Sequence, residues 1–514
     1  MPRRTSGVLR RAPRPLLAAV LLLSSAAARA SGRGPIVVHL YHTNDVHGWI
    51  MARPGPKGGG RPLIGGAPAF KALVDRDKGP KLVLDAGDWW QGTPEGSLTK
   101  GRAVAEVFNA VGYDAVEIGN HEFDDGQASL RALIGRLHMP VLAANIYGPD
   151  GKRVPWAKPR IILKIAGVKF GIFGLLTSHM PGLEFPRNVA GLTFRREVDE
   201  ARDQVRALKR EGADVIVALT HVGFERAGGP AFEGDQTIAR EVPGIDLIVG
   251  GHTHTFLKRG WRDPVHGTLI VQAGSYLRAA GIATLKIDPR TRRLISDSDR
   301  LVDLRPDRGT DPKVQAAVDR VEAGAARAFA VVIATATSPL ARNFAGESGI
   351  GSWMADCYRA RERTQVAIQP GASIRAGIPA GPVTKRTIFD VMPFDDAVVR
   401  LTMTGAQLRR ALEAGMDARA IAQVSGAAVR FRPGGPRGGR LVSVAVAGKP
   451  LADGETYSVA SLDFLYGEGS ARAAEAVSWR PTGELARDVL LACAEREGRI
   501  APPPPGRLKA LPED

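Results

Sequence analysis

The chain has 514 residues, 44% hydrophobic and 24% charged, with a formal net charge of +17. That length exceeds one ordinary hydrophobic core, so two or more domains are expected, and the composition is globular. The arginine excess is spread along the chain without a helix-turn-helix or RNA-binding signature; this argues against a nucleic-acid binder and for a surface that draws small anions.

Arg3, Arg4, Arg10 and Arg11 precede an apolar run, Leu16–Leu23, too short to span a bilayer. Ala28-Arg29-Ala30 then offers a small-x-small cleavage site before Ser31. Residues 1–30 therefore read as a signal peptide cut after Ala30, and the mature chain as periplasmic or secreted. The arginine pairs raise a twin-arginine route, but their context favours ordinary secretion. No Cys follows the cut and no later segment is long and apolar, so no membrane anchor is expected.

From residue 35 to about 300, strand and helix patterns alternate, which implies a layered α/β domain. Five apolar, mostly β-branched runs read as buried strands: Ile36–Leu40, Leu82–Leu84, Val116–Ile118, Val215–Leu219 and Leu247–Val249. Helical stretches are expected at Ala103–Ala110, Gln127–Leu137, Val198–Lys209 and Gln236–Glu241. Gly55–Gly66 reads as a loop. Asp311-Pro312 opens a helix running to about Phe329, with an N-cap and a proline in the first turn, so 305–330 reads as a linker helix. A second, smaller α/β region follows over 331–500, and 501–514 reads as an irregular proline-rich tail. Cys357 and Cys493 both fall in helical patterns. An exported chain can pair them, but two small buried hydrophobes is the plainer expectation.

Each of the five strands is followed by ligand-capable side chains: Asp45 and His47, Asp88, Asn120 and His121, His221, and His252 and His254. One Gly-Asp or His-x-His alone means little. Five strand ends with such residues point to a metal site, expected at one edge of a sheet. Nitrogen and oxygen donors of this kind suit two divalent ions drawn from Mn, Zn, Co, Mg or Fe. A two-metal centre needs a bridging carboxylate, and Asp88 is the best placed. Asp45, His47 and His254 then complete one ion's shell, and Asn120, His221 and His252 the other's. His121 is left over. Asp124, three residues on, can orient it as a general acid and charge stabiliser; a helix N-cap is the bland role for the same Asp.

The blocks HTNDVHG, DAGDWWQGTPEG, GYDAVEIGNHEFDDG, LTHVGFE and GGHTH resemble, in order, the 5′-nucleotidase and UDP-sugar hydrolase family of the calcineurin-like metallophosphoesterases. IRAGIPAG, PFDDAVVRLTMTGAQLRRALE, QVSG and YSVASLDFL are similar to its C-terminal domain. The resemblance implies a four-layered metallophosphoesterase domain followed by a smaller α/β substrate-binding domain that rotates to bring substrate to the metals. It implies an exported two-metal phosphohydrolase, releasing phosphate from nucleotides or related phosphoesters by attack of a metal-activated water. Asp45, His47, Asp88, Asn120, His221, His252 and His254 match the family's ligands, His121 and Asp124 its catalytic pair, and Arg375 an arginine that contacts substrate phosphate. The C-terminal half departs from the pattern. A family arginine falls near Phe344, with Arg342 close by. One base-stacking aromatic is replaced near Ile421, and the loop carrying the other is shortened to Tyr466-Gly-Glu-Gly-Ser470. The same fold also admits a 2′,3′-cyclic-nucleotide phosphodiesterase, a thiosulfohydrolase or a non-catalytic exported metal-binding or adhesion protein.

Overall fold

The structure is a computed structural model that describes residues 34–54, 63–225, 233–394, 396–416, 420–436, 438–466 and 476–512. The signal-peptide segment 1–30, most of the Gly55–Gly66 loop and Ser470 lie outside the described residues.

The apolar runs of the N-terminal half form two six-stranded sheets rather than one. The first has the order Leu294–Asp303, Ala279–Ile287, Ile36–Thr43, Lys81–Asp85, Ala115–Glu117, Val141–Leu142. The second has the order Trp261–Arg262, Leu269–Val271, Leu247–Gly250, Val215–His221, Val168–Leu176, Arg160–Ile165. Alternation along each strand divides the core in two. Val38, Leu40, Leu82 and Leu84 of the first sheet pack face to face with Phe170, Ile172, Val215, Val217 and Leu247 of the second. On the outer face of the first sheet, Tyr41, Val83 and Val116 meet Phe70, Val104 and Phe108 from helices. On the outer face of the second, Ile216, Ala218 and Ile248 meet Val198, Val205 and Ile238. Helix, sheet, sheet and helix give four layers.

The helix Pro312–Phe329 is capped by Asp311, whose side chain accepts from Val314 N. Val314, Ala317, Val318 and Val321 bury into the first sheet's outer core. Its last turn changes partner: Ala325 and Phe329 pack on Phe389 of the C-terminal half.

That half is built on a five-stranded sheet, Gln423–Ser425, Val366–Gln369, Thr456–Leu462, Ala397–Thr404, Ser478–Leu485, with a three-stranded and a four-stranded sheet beside it. Cys357 on Gly349–Glu362 and Cys493 on Ala486–Glu497 form a disulfide. The plainer expectation of two unpaired buried thiols is therefore corrected. Both helices pack into one core, which brings the two Cα atoms to 5.9 Å. The tail is also more ordered than its composition suggests. Leu508–Ala510 pairs in parallel with Ala427–Phe431, and Arg507 forms an ion pair with Asp356. Between the halves, the Arg187 guanidinium donates to the Gly483 and Thr482 carbonyls.

Candidate functional site

Six of the seven expected ligands stand at the ends of strands from both sheets, and His47 follows close behind Asp45. Asp45, Asp88 and Asn120 come from the first sheet; His221, His252 and His254 come from the second. The site thus spans the rim where two sheets meet, not the edge of one. Strands buried on both faces read alike, so their sheet membership is hidden in the pattern.

Backbone pairing fixes the first two segments. Asp45 N donates to Gly87 O, His47 N to Asp88 O and Gly48 N to Trp89 O, all at 2.8–2.9 Å. Gly119 has no alternative, since a Cβ there would lie 2.1 Å from Asp88 Oδ1. Asp45, His47, Asp88, His252 and His254 all have positive φ, between 49° and 80°. Non-glycine residues there cost about 1–3 kcal/mol each and persist only where the surroundings impose them.

The side chains converge. Asp88 Oδ2 lies 3.1 Å from His221 Nε2 and 3.7 Å from His47 Nε2. Asp45 Oδ1 lies 3.3 Å from His254 Nε2, and His47 Nε2 faces His254 Nε2 at 2.9 Å. Asn120 Oδ1 is 2.9 Å from His252 Nδ1. His47 Nδ1 contacts Gln91 O at 2.7 Å and His221 Nδ1 contacts Ala86 O at 2.6 Å. A carbonyl only accepts, so both Nδ1 atoms carry the proton and both Nε2 atoms keep a lone pair in the neutral ring. The buried His221 Nε2 stands near Asp88 without the angle of a hydrogen bond. An orphaned imidazole nitrogen among carboxylate, amide and imidazole donors fits a divalent cation.

Charge is arranged to suit that. Burial disfavours the Asp88 carboxylate, yet the His221, His121 and His47 imidazoles outweigh it and hold its pKa well below the usual range. Burial keeps His47 below the ordinary histidine value despite Asp88. Burial and the neighbouring His221 push His252 down to about 4. Both imidazoles are therefore neutral, as ligands must be. His221 goes the other way: burial opposes its charge, but Asp88 raises it to about 9, so a cation held at Nε2 would displace a proton from that ring.

His121 stands beside this group, its ring 5.3 Å from that of His47. Its Nδ1 lies 3.0 and 3.2 Å from the two Asp124 carboxylate oxygens. Burial opposes its charge, but Asp124 and Asp88 outweigh burial and hold its pKa well above the ordinary value. Asp124 is not a helix N-cap; the following helix, Gly126–Ile134, is preceded by Asp125. Arg375 lies in the C-terminal half, exposed, with its guanidinium 5.8 Å from the Phe394 ring. Its carbonyl accepts from Arg342, which stacks 3.7 Å over the Phe344 ring. Ile421 is fully buried and Phe344 is 39% exposed.

Sequence reasoning missed Glu122. Its carboxylate accepts from Asp88 N, Trp89 N and Gly119 N at 2.7–2.9 Å, so it shapes the loop that carries Asp88. Its place between His121 and Asp124 is the one signal available. Asn44, which donates to Asp45 and to Gly274 O, was missed likewise.

Four α/β layers with a His, Asp and Asn cluster at the strand ends define a metallophosphoesterase, a class that works with divalent metals. The calcineurin-like phosphoesterase family profile matches residues 38–256, and that of the 5′-nucleotidase C-terminal domain matches 331–476. A snake venom 5′-nucleotidase from Gloydius brevicauda is 30% identical over 88% of this chain and 85% of its own length. A 5′-nucleotidase from Vibrio cholerae is 27% identical over 88% of this chain and 89% of its own. Among solved structures, a 5′-nucleotidase precursor from Thermus thermophilus superposes with a TM-score of 0.61 at 27% identity, covering 93% of this chain and all of that one. The chain belongs to the 5′-nucleotidase family. It is a metal-dependent phosphoric ester hydrolase. No helix among the described residues is long and apolar enough to cross a membrane.

Proposed function

We propose that the chain is an exported two-metal phosphohydrolase that releases phosphate from nucleotides and related phosphoesters. In this reading residues 35–300 form the catalytic unit and 331–500 the substrate-binding unit, joined by 305–330. Asp45, His47, Asp88 and His254 would hold one cation; Asp88, Asn120, His221 and His252 would hold the other. Four imidazoles among seven ligands favour a borderline ion such as Zn, Co or Fe over Mg. When bound, two such cations would supply a water of lowered pKa and Lewis-acid polarisation of the phosphoryl group.

The chain's own groups do the rest. Glu122 fixes the Asp88 loop through three backbone N–H groups. Carbonyls hold His47 and His221 with Nε2 facing inward. His121 gives its proton to the departing oxygen, and Asp124 keeps the ring oriented and favours its charged form. Arg375 grips substrate phosphate through the planar fork of its guanidinium. The observation that carries the proposal is the convergence of His47 Nε2 and His221 Nε2 on one Asp88 oxygen with both Nδ1 atoms tied to carbonyls. Phosphate release from AMP, UDP-glucose and a nitrophenyl ester tests it. Chelation should abolish release and added Mn, Co or Zn should restore it. Full turnover by protein shown to be metal-free by elemental analysis sinks the proposal.

A further inference from the structure

A third acidic side chain stands behind the His121–Asp124 pair. Glu184 follows the short helix Met180–Leu183. Ligand atoms of His121, Asp124 and Glu184 all lie within 4.8 Å of one another. Two carboxyl groups this close do not both stay ionised unless something separates them. Asn188 Nδ2 is a nearby amide donor. It reaches Glu184 Oε2 at 3.3 Å and the Asp124 carbonyl at 2.9 Å, so it does not neutralise the Asp124 carboxylate. The Glu184 and Asp124 carboxyl groups have oxygens within 4.8 Å of each other, and a hydrogen bond between them needs one carboxyl protonated. One of the two acids must supply its proton. Asp124 faces an imidazole and is better kept as the anion; Glu184 faces Asp124.

We infer that Glu184 is a positioning residue, which donates a hydrogen bond to Asp124 and so fixes the orientation of the His121 ring. The arrangement is a chain of three: Glu184 to Asp124 to His121. Burial first, and then the Asp124 charge, push the Glu184 carboxyl well above its ordinary range, which keeps the donating proton in place at neutral pH. Held from one side by Glu184, the Asp124 carboxylate cannot swing away from Nδ1. Nothing in the sequence around Glu184 signals this, because the segment has no periodicity and the contact is made across 60 residues.

The inference rests on His121 being the proton donor of the proposed reaction, and the test keeps the two apart. Steady-state AMP hydrolysis and metal content are measured on the metal-loaded full chain for Glu184→Ala, Glu184→Gln, Asp124→Ala and the Asp124→Ala/Glu184→Ala double variant. Glutamine keeps a neutral donor, so Glu184→Gln should stay within about threefold of wild type. Glu184→Ala should lower kcat about 10- to 50-fold, with KM within about twofold and metal retained. The double variant should be no slower than Asp124→Ala, because Glu184 acts only through Asp124. Undiminished kcat in Glu184→Ala, a glutamine variant as slow as alanine, or additive losses in the double variant overturns the inference. If alanine does not fold, Glu184→Met replaces it at equal length. Full activity in His121→Ala, by contrast, overturns the proton-donor role of His121 on which the inference rests.

Discussion

Replacing His121 with alanine distinguishes proton donation from simple charge stabilisation, because the leaving group decides how much the proton matters. The His121 side chain is 33% exposed. Water therefore reaches the vacated space and partly substitutes for the ring. Asp124 holds the imidazole at 3.0 and 3.2 Å, so the native proton is delivered from a fixed position. General acids contribute roughly 100- to 10,000-fold, and water access places this one at the lower end. The expected loss with AMP is about 100-fold in kcat, or about 2.7 kcal/mol. Its ribose oxygen leaves poorly as an alkoxide. A nitrophenolate leaves without a proton, so the expected loss on nitrophenyl phosphate is about tenfold or less. The assay is steady-state phosphate release from both substrates, with metal content measured on the same preparations. Equal losses refute proton donation. Loss of metal in parallel refutes the separation of His121 from the ligands.

Asp88→Ala should lose both turnover and bound metal; metal content equal to wild type contradicts a bridging role. AMP, UMP and a simple phosphate ester should have kcat/KM values within about tenfold, equivalent to about 1.4 kcal/mol, because Ile421 is buried and presents no aromatic face. A thousandfold preference for AMP means that a base clamp exists elsewhere. Reducing Cys357–Cys493 opens a constraint on residues 136 apart, worth about 5 kcal/mol in chain entropy, so the C-terminal half should melt at lower temperature with little change in kcat at 25 °C. An unchanged melt with two thiols titrated contradicts this. Burial raises the Asp235 carboxyl to about 8, so the stability it confers is full below about pH 4 and is lost as pH rises through 8. Asp235→Asn keeps the acceptor for Thr220 and should flatten that decline in a chelated sample. Identical melting differences between pH 5 and pH 9 in the two proteins count against it.

The five site segments are legible because each follows a run buried on both faces, where apolar residues are obligatory and the first polar side chain marks the strand's end. The pattern hides the division into two sheets: Ile36–Thr43 and Val215–His221 are both mostly apolar although they lie in different layers. Glu122 escapes notice because its role depends on loop curvature that turns three N–H groups toward one carboxylate. Glu184 escapes it because only tertiary packing brings it to Asp124. The disulfide is similar: two helical cysteines far apart in sequence carry no register, and only their shared core sets the distance. The tail strand Leu508–Ala510 is too short for its alternation to show. Base recognition is the least legible part, since Ser470 lies outside the described residues and Arg342 with Phe344 replaces the expected pattern by a different local arrangement.

The left-handed backbone at Asp45, His47, Asp88, His252 and His254 sets two kinds of selection against each other. Glycine adopts such angles freely, so exchanging any of these five for glycine relaxes the fold while removing a donor. A population of variants screened only for heat resistance therefore loses these positions before it loses any of the apolar strands behind them. Other left-handed non-glycine positions, such as Lys100, Arg363 and Ala447, gain in the same way; what sets the five apart is that glycine there yields a stable survivor with a donor missing from the site.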